Sequence, residues 1–218
     1  RVVDSGRVDG VILIGQSDQL QIIDQVAQRY TPLVAWGANL PGQLHCSVGS
    51  DNRKGGILAT RHLVERGCTN FAFLGDPIAP EIAERLEGCR AALADAGMAD
   101  RLSILQAHLT AETAHSAISS WLDETKSVPN GIVAASDVIA MSALRALAEH
   151  NVAVPGMVHV VGYDDLPFAN QTVPTLTTIR QDLAAGASYL VDLLFRRIAG
   201  ERTSSVVMSP ELVVRMSS

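Results

Sequence analysis

The sequence predicts an α/β protein built on doubly wound parallel sheets, and three observations carry that prediction. Short apolar runs of strand type alternate with segments whose apolar residues recur every three or four positions. Several runs are apolar throughout rather than alternating, as strands covered on both faces are. The runs end in Gly, Asp or Pro and lead into short connections, with no long linker between them.

Taken along the chain, the strand-type runs are residues 10–15, 32–36, 70–75, 102–106, 131–135, 158–162, 176–179, 205–208 and 211–215. Between them four segments carry helical stripes: Gly56, Ala59 and Leu63; Ile82, Leu86, Cys89 and Leu93; Val138, Met141, Leu144 and Ala148; Ala187, Leu190, Leu194 and Ile198. Asp51 and Ser136 stand where N-caps stand, and Gly97 and Gly200 follow helices as C-cap residues do. His62 with Glu65 reads as an exposed helix edge.

A chain of 218 residues suits one large domain or two modest lobes. At 47% hydrophobic and 18% charged it is too apolar for disorder. A formal charge of −6 makes this segment a poor holder of a phosphate backbone, so any reading of DNA falls to another segment. Cys46, Cys68 and Cys89 form no CxxC pair, which fits a reducing compartment and no disulfide framework. No apolar run reaches bilayer-spanning length.

Catalytic and metal motifs are missing. No GxGxxG follows a strand, Lys54-Gly55-Gly56 lacks the order of a phosphate loop, no GxSxG places a nucleophile, and no HExxH or paired Cys/His spacing offers a metal site. The reading is therefore no enzyme, no cofactor and no metal. What remains is a set of polar residues beyond the carboxyl ends of strands, where open α/β sheets take ligands. They are Asp164 with Asp165, Ser136 with Asp137, Trp36, and Glu81 with Arg85. Singly, each has a plain structural reading: a helix start for Ser136 and Asp137, a turn for the two aspartates, core for Trp36, a solvated helix residue for Arg85.

Together with other stretches these residues resemble the lactose-repressor (LacI/GalR) family of transcription regulators. The resemblance rests on Val8-Asp9-Gly10-Val11-Ile12-Leu13, on Ser47 to Asn52 with Gly55-Gly56, on Phe71 to Gly75, and on Arg85-Leu86-Glu87-Gly88-Cys89-Arg90. Its more specific parts are Ala135 to Met141, Val154-Pro155 through Val160-Val161-Gly162-Tyr163-Asp164-Asp165, Pro174 to Asp182, and Leu212-Val213-Val214-Arg215. The resemblance implies a periplasmic-binding-protein-like core of type I with a ligand in the cleft between two lobes. One lobe would take 1–47 and 183–207, lacking its opening strands; the other would take 48–182 and 208–218. It also implies a homodimer, a cytoplasmic location and an upstream helix-turn-helix that alone would hold operator DNA, so the natural protein is expected to be longer.

Pocket roles carry over by position. Arg85 matches the cleft arginine, whose planar fork suits paired acceptors, and Asp164 matches the acidic residue that accepts from ligand hydroxyls. Ser136 stands where the family has Asn, Leu109 where it often has an aromatic, and Glu81, Gln181 and Trp36 are further candidates. Gly37, Ser136 and Leu109 depart from the family pattern and weaken the case for a plain hexose; a sugar acid or other sugar derivative would suit Arg85. The rival reading is an extracytoplasmic sugar-binding protein of an uptake system.

Overall fold

The computed structural model describes residues 8–16, 20–30, 32–107, 110–124 and 128–218. In chain order the first elements are β1 (Val11–Ile14), α1 (Leu20–Arg29), β2 (Leu33–Trp36), β3 (Cys46–Ser50), α2 (Asn52–Glu65), β4 (Phe71–Leu74), α3 (Pro80–Asp95) and β5 (Leu102–Leu105). There follow α4 (Ala111–Glu124), β6 (Gly131–Ala134), α5 (Asp137–Glu149), β7 (His159–Asp164), β8 (Thr177–Arg180), α6 (Leu183–Ile198), β9 (Val206–Met208) and β10 (Glu211–Val213). Two compact units result. Unit 1 draws on residues 1–51, Ile78–Glu81 and Asp182–Ser209, and unit 2 is Asn52–Pro77, Ile82–Gln181 and Pro210–Ser218.

Unit 1 holds a four-stranded parallel sheet in the order β1-β2-β3-β9. Val34, Cys46, Val48, Leu190 and Leu193 form its core, with Trp36, Leu194, Val206 and Met208 packed against them. Strand β3 has no counterpart among the strand-type runs of the sequence. Its residues, Cys-Ser-Val-Gly-Ser, include one β-branched apolar side chain, yet all five are buried. A strand lined with small residues satisfies burial without displaying the apolar signature that marks a strand in sequence.

Unit 2 holds a six-stranded sheet in the order β10-β8-β7-β6-β4-β5, parallel except for β10 against β8. From β4 the chain runs outward to β5, then returns to β6 on the other side of β4. That reversal is a topological switch point, where the loops after adjacent strands diverge and leave a crevice at their carboxyl ends. Phe71, Phe73, Leu74, Ile132, Val160, Val161 and Ile179 are buried along these strands and form the layer beneath it.

Helix stripes read from sequence fare unequally. Those of α2 and α3 are buried as expected. In α5 the buried face is rotated to Ile139, Ala140, Ala143, Leu144, Ala146 and Leu147, leaving Ala148 exposed. In α6 Gly186, Leu190 and Leu193 are buried, whereas Ala187 and Ile198 are exposed. Both helices are apolar over a wide arc, so spacing alone does not select which part of the arc faces the sheet. Ser136 does cap α5, accepting from the Ile139 N–H, and Gly97 and Gly200 have positive φ after their helices. His62 is not exposed as its spacing suggested. It is buried, 2.8 Å from the Ser218 hydroxyl, and burial lowers its pKa.

Helices α2 and α3 approach backbone to backbone. A Cβ on Gly56 would lie 2.1 Å from the Arg85 carbonyl oxygen, and a Cβ on Gly88 would lie 2.1 Å from that of Arg53. In an exposed helix Gly→Ala gains about 1 kcal/mol of helix preference. Here the obstructing atoms are backbone, so overpacking at about 1–3 kcal/mol or more wins. Gly88→Ala is therefore expected to lower the urea unfolding midpoint; an unchanged or raised midpoint would show that the helices do not approach this closely.

Candidate functional site

The candidate site is a wall of unit 2 at the carboxyl ends of β4, β6, β7 and β8. Arg85 comes from α3, the helix after β4. Its side chain is buried, yet it is held by uncharged partners: Nε donates to Asn52 Oδ1 at 2.9 Å, Nη1 donates to the Ala135 carbonyl oxygen, and the guanidinium lies 3.6 Å from the centre of the Tyr163 ring. Burying an unpaired cation costs on the order of several kcal/mol. Two hydrogen bonds from a charged donor contribute about 1.5–3 kcal/mol each, and a desolvated cation–π contact about 2 kcal/mol, so the clamp offsets burial without an ion pair. Among the described residues, Nη2 has no hydrogen-bond partner.

Asp164 ends β7. Burial pushes its carboxyl pKa above the usual value, while the charge of Arg85, a hydrogen bond from Gln181 and the Asp137 backbone N–H pull it back without cancelling the rise. Gln181 Nε2 donates to Asp164 Oδ1 at 2.7 Å. Asp164 and Asp165 both adopt positive φ, 120° and 58°. Two successive non-glycine residues in that region store backbone strain, which persists where side-chain contacts over-determine it. For Asp165 those contacts are Arg180 at 2.7 Å and Arg215 at 2.6 Å. Burial raises the Asp165 pKa, but the two arginines outweigh it and leave the carboxyl below its ordinary value.

Asp137 opens α5 beneath these residues and is fully buried. Oδ1 accepts from Thr178 Oγ1 at 2.5 Å and Oδ2 from the Leu166 N–H at 2.8 Å. The carboxylate fits over β7 because Gly162 has no side chain; a Cβ there would sit 2.3 Å from Asp137 Oδ1. Burial nevertheless pushes the Asp137 pKa up to about 6, with the charges of Asp164 and Asp165 adding to the rise.

Of the residues singled out in the sequence, the structure gathers Arg85, Ser136, Asp164 and Gln181 in unit 2. The Ser136 hydroxyl spends an acceptor on the Ile139 N–H, and its own hydrogen stays available. Glu81 lies in the first turn of α3 and is half-buried. Trp36 belongs to unit 1, where its ring packs so closely on α6 that a Cβ on Gly186 would lie 2.3 Å from Cζ3. Leu109 lies outside the described residues. Asn52 and Tyr163, which hold Arg85, were not marked as site residues in the sequence; an Asn at a helix start and a Tyr in a buried strand carry no signal beyond their elements. A separate surface groove of about 400 Å³ between α4 and α5, lined by Glu112, His115, Met141 and Arg145 among others, contains none of the gathered residues. No group of three or more His, Cys, Asp or Glu residues suited to a metal occurs among the described residues.

Residues 60–218 match the family model of the periplasmic binding protein-like domain. The chain is 35% identical over 219 residues to the HTH-type transcriptional regulator CelR of Thermobifida fusca, covering 96% of this chain and 63% of that protein. It is 29% identical over 224 residues to the HTH-type transcriptional regulator DegA of Bacillus subtilis, covering all of this chain and 66% of that protein. The chain thus spans less than two thirds of either curated relative. Among solved structures it is similar to a transcriptional regulator CelR–cellobiose complex, with a TM-score of 0.86 and 32% identity over all of this chain and 68% of that one.

Two of these carboxylates give a pH signature. Asp137 has a folded pKa raised from 3.8 to about 6. The fold therefore binds its proton more tightly than the unfolded chain does. That contribution is fully present below pH 3.8 and is lost as pH rises through about 6. Asp165 acts in the opposite sense: its contribution is present above the ordinary carboxylate pKa and is lost as pH falls through its depressed folded value. Carboxyl carbon NMR is expected to show one aspartate, lost in Asp137→Ala, titrating near pH 6; an Asp137 midpoint near 4 would contradict the burial described.

Proposed function

The chain belongs to the periplasmic binding protein-like family, as the effector-binding core of a LacI-type regulator, and on that premise we propose that it senses a small polar molecule at the Arg85–Asp164 wall. The observation that carries this reading is the pairing of a rigidly held cation with a buried carboxylate at a sheet's switch point, each retaining hydrogen-bonding capacity. Such a pair suits a polyhydroxylated ligand, whose hydroxyls both accept from a guanidinium and donate to a carboxylate. Similarity to a regulator solved with cellobiose favours a sugar or sugar derivative. Arg85 would take ligand oxygens, Asp164 hydroxyl hydrogens, and Ser136 and Gln181 would support them; Glu81, Trp36 and Leu109 are secondary candidates.

In the whole protein the effector would act by population shift. A ligand that binds one conformation of the core about 100-fold better than another biases it by roughly 2.7 kcal/mol. In a homodimer carrying upstream DNA-reading heads that bias would change operator affinity, and the protein would act in the cytoplasm as a regulator rather than as an enzyme. The names of the curated relatives, both HTH-type regulators, support this over an uptake role.

A thermal-shift panel of cellobiose, ribose, gluconate and a purine base tests the reading. At 100 times its Kd a ligand stabilises by about 2.7 kcal/mol, which for a chain of this size raises the melting midpoint by about 5–10 °C. Arg85→Ala is expected to abolish that response, although its unliganded midpoint falls too because Asn52 and Ala135 lose a donor. A full response in the variant would remove Arg85 from the site.

A further inference from the structure

Arg85 must be fixed before it can discriminate among ligands, and the fixing comes from the first turn of α2. Asn52, Gly55 and Gly56 are spaced at i, i+3 and i+4, so they share one helix face. Each does a different part of the work. The Asn52 amide oxygen accepts from Arg85 Nε at 2.9 Å. Gly55 leaves room for the Tyr163 ring: a Cβ there would lie 2.4 Å from the phenol oxygen and 2.5 Å from Cε2. Gly56 admits the backbone of Arg85 itself, whose carbonyl oxygen would lie 2.1 Å from an added Cβ. One face of one turn therefore meets the main chain, the guanidinium and the ring that the guanidinium rests on.

We infer that Asn52 is a positioning residue that orients Arg85 without neutralising it, and so sets which N–H groups and how much charge the site offers a ligand. This rests on the Arg85–Asp164 wall being the effector site. The chemistry of the amide matters. A carboxylate at position 52 would hold Nε equally well, but it would add a further buried negative charge to those of Asp164 and Asp137 and compete with Asp164 for the guanidinium. An amide accepts the same hydrogen bond with no net charge. The site's balance of one cation against Asp164 survives only with the neutral acceptor. Asn52 is itself 2% exposed, so solvent does not substitute for it. Removing its side chain frees Nε and lets the guanidinium turn about its remaining Ala135 contact. The orientation of Nη2, the nitrogen left without a protein partner among the described residues, then changes with it.

Two readouts test this without any ligand, so a failed clamp and a failed effector assignment are distinguishable. The first is the Arg85 Nε–H resonance, identified by its disappearance in Arg85→Lys. The second is the carboxyl carbon titration of Asp164, whose pKa the Arg85 charge pulls down. In Asn52→Ala, the Nε–H is expected to exchange with water at least about tenfold faster, the factor for losing roughly 1.4 kcal/mol of hydrogen bonding. The Asp164 midpoint is expected to rise. Asn52→Asp, which keeps the acceptor and the side-chain size, guards against an alanine variant that does not fold. It should retain slow Nε–H exchange while raising the Asp164 midpoint, because the second carboxylate shares the guanidinium's charge. A purely structural Asn52 would leave both signals of the folded alanine variant at their original values, and that result would overturn the inference. So would an aspartate variant that folds but loses Nε–H protection, or one whose Asp164 midpoint stays put.

Discussion

A guanidinium buried among uncharged partners is the constraint around which unit 2 is arranged. A cation out of water demands acceptors with fixed geometry, and three elements around Arg85 supply them: α2 through Asn52, the end of β6 through the Ala135 carbonyl, β7 through the Tyr163 ring. Those contacts require α2 and α3 to come within backbone distance, which is why Gly56 and Gly88 stand where they do. They also require β7 to end beside β6, which the parallel order β7-β6-β4 provides. The clamp thus ties α2, α3, β6 and β7 together at the carboxyl edge of the sheet.

The smaller unit shows a comparable economy built from different parts. Its sheet leans on α6 through Trp36, whose ring fills the space that Gly186 leaves. In α1 and in the segments that follow β1 and β2, three polar side chains run inward one after another. Asp24 Oδ1 lies 2.7 Å from His45 Nδ1, and His45 Nε2 lies 2.8 Å from the Gln16 amide nitrogen, which also reaches the Ala38 carbonyl. An amide nitrogen only donates, so Nε2 of His45 accepts and Nδ1 carries the hydrogen toward Asp24. The chain of bonds fixes the imidazole tautomer and ties the segments after β1 and β2 to α1.

Much of this architecture was legible in the residues. Strands such as β4 and β6 are continuous apolar runs, and helices α2 and α3 display one clear buried stripe, because in each case one physical demand dominates the local sequence. Asp164 and Ser136 stood out as polar residues just past apolar strands, whereas Arg85 and Gln181 drew their proposed roles from the family resemblance. What escaped has a common cause. β3 is buried but made of small residues, and α5 and α6 are apolar around too much of their circumference for spacing to single out a face. Asn52 and Tyr163 act on Arg85 from 33 and 78 positions away in sequence, and no local pattern encodes a partner at that range. Close packing is visible in sequence only as glycine, which does not say what it admits.

The three aspartates at the sheet edge illustrate how one side chain takes three characters from its surroundings. Asp165 faces two arginines and is held ionised, locking the turn after β7 to β8 and to the segment after β10. Asp137 is fully buried, receives two hydrogen bonds and has no cation partner among the described residues, so burial keeps its proton affinity high. At Asp164 burial raises the pKa as well, while the Arg85 charge and the hydrogen bond from Gln181 pull it back. A carboxylate already committed to an ion pair has little to offer a ligand. With the ion pairs given to Asp165, Asp164 is the carboxylate that faces the Arg85 charge and the Gln181 amide, and on that arrangement the proposed recognition of ligand hydroxyls rests.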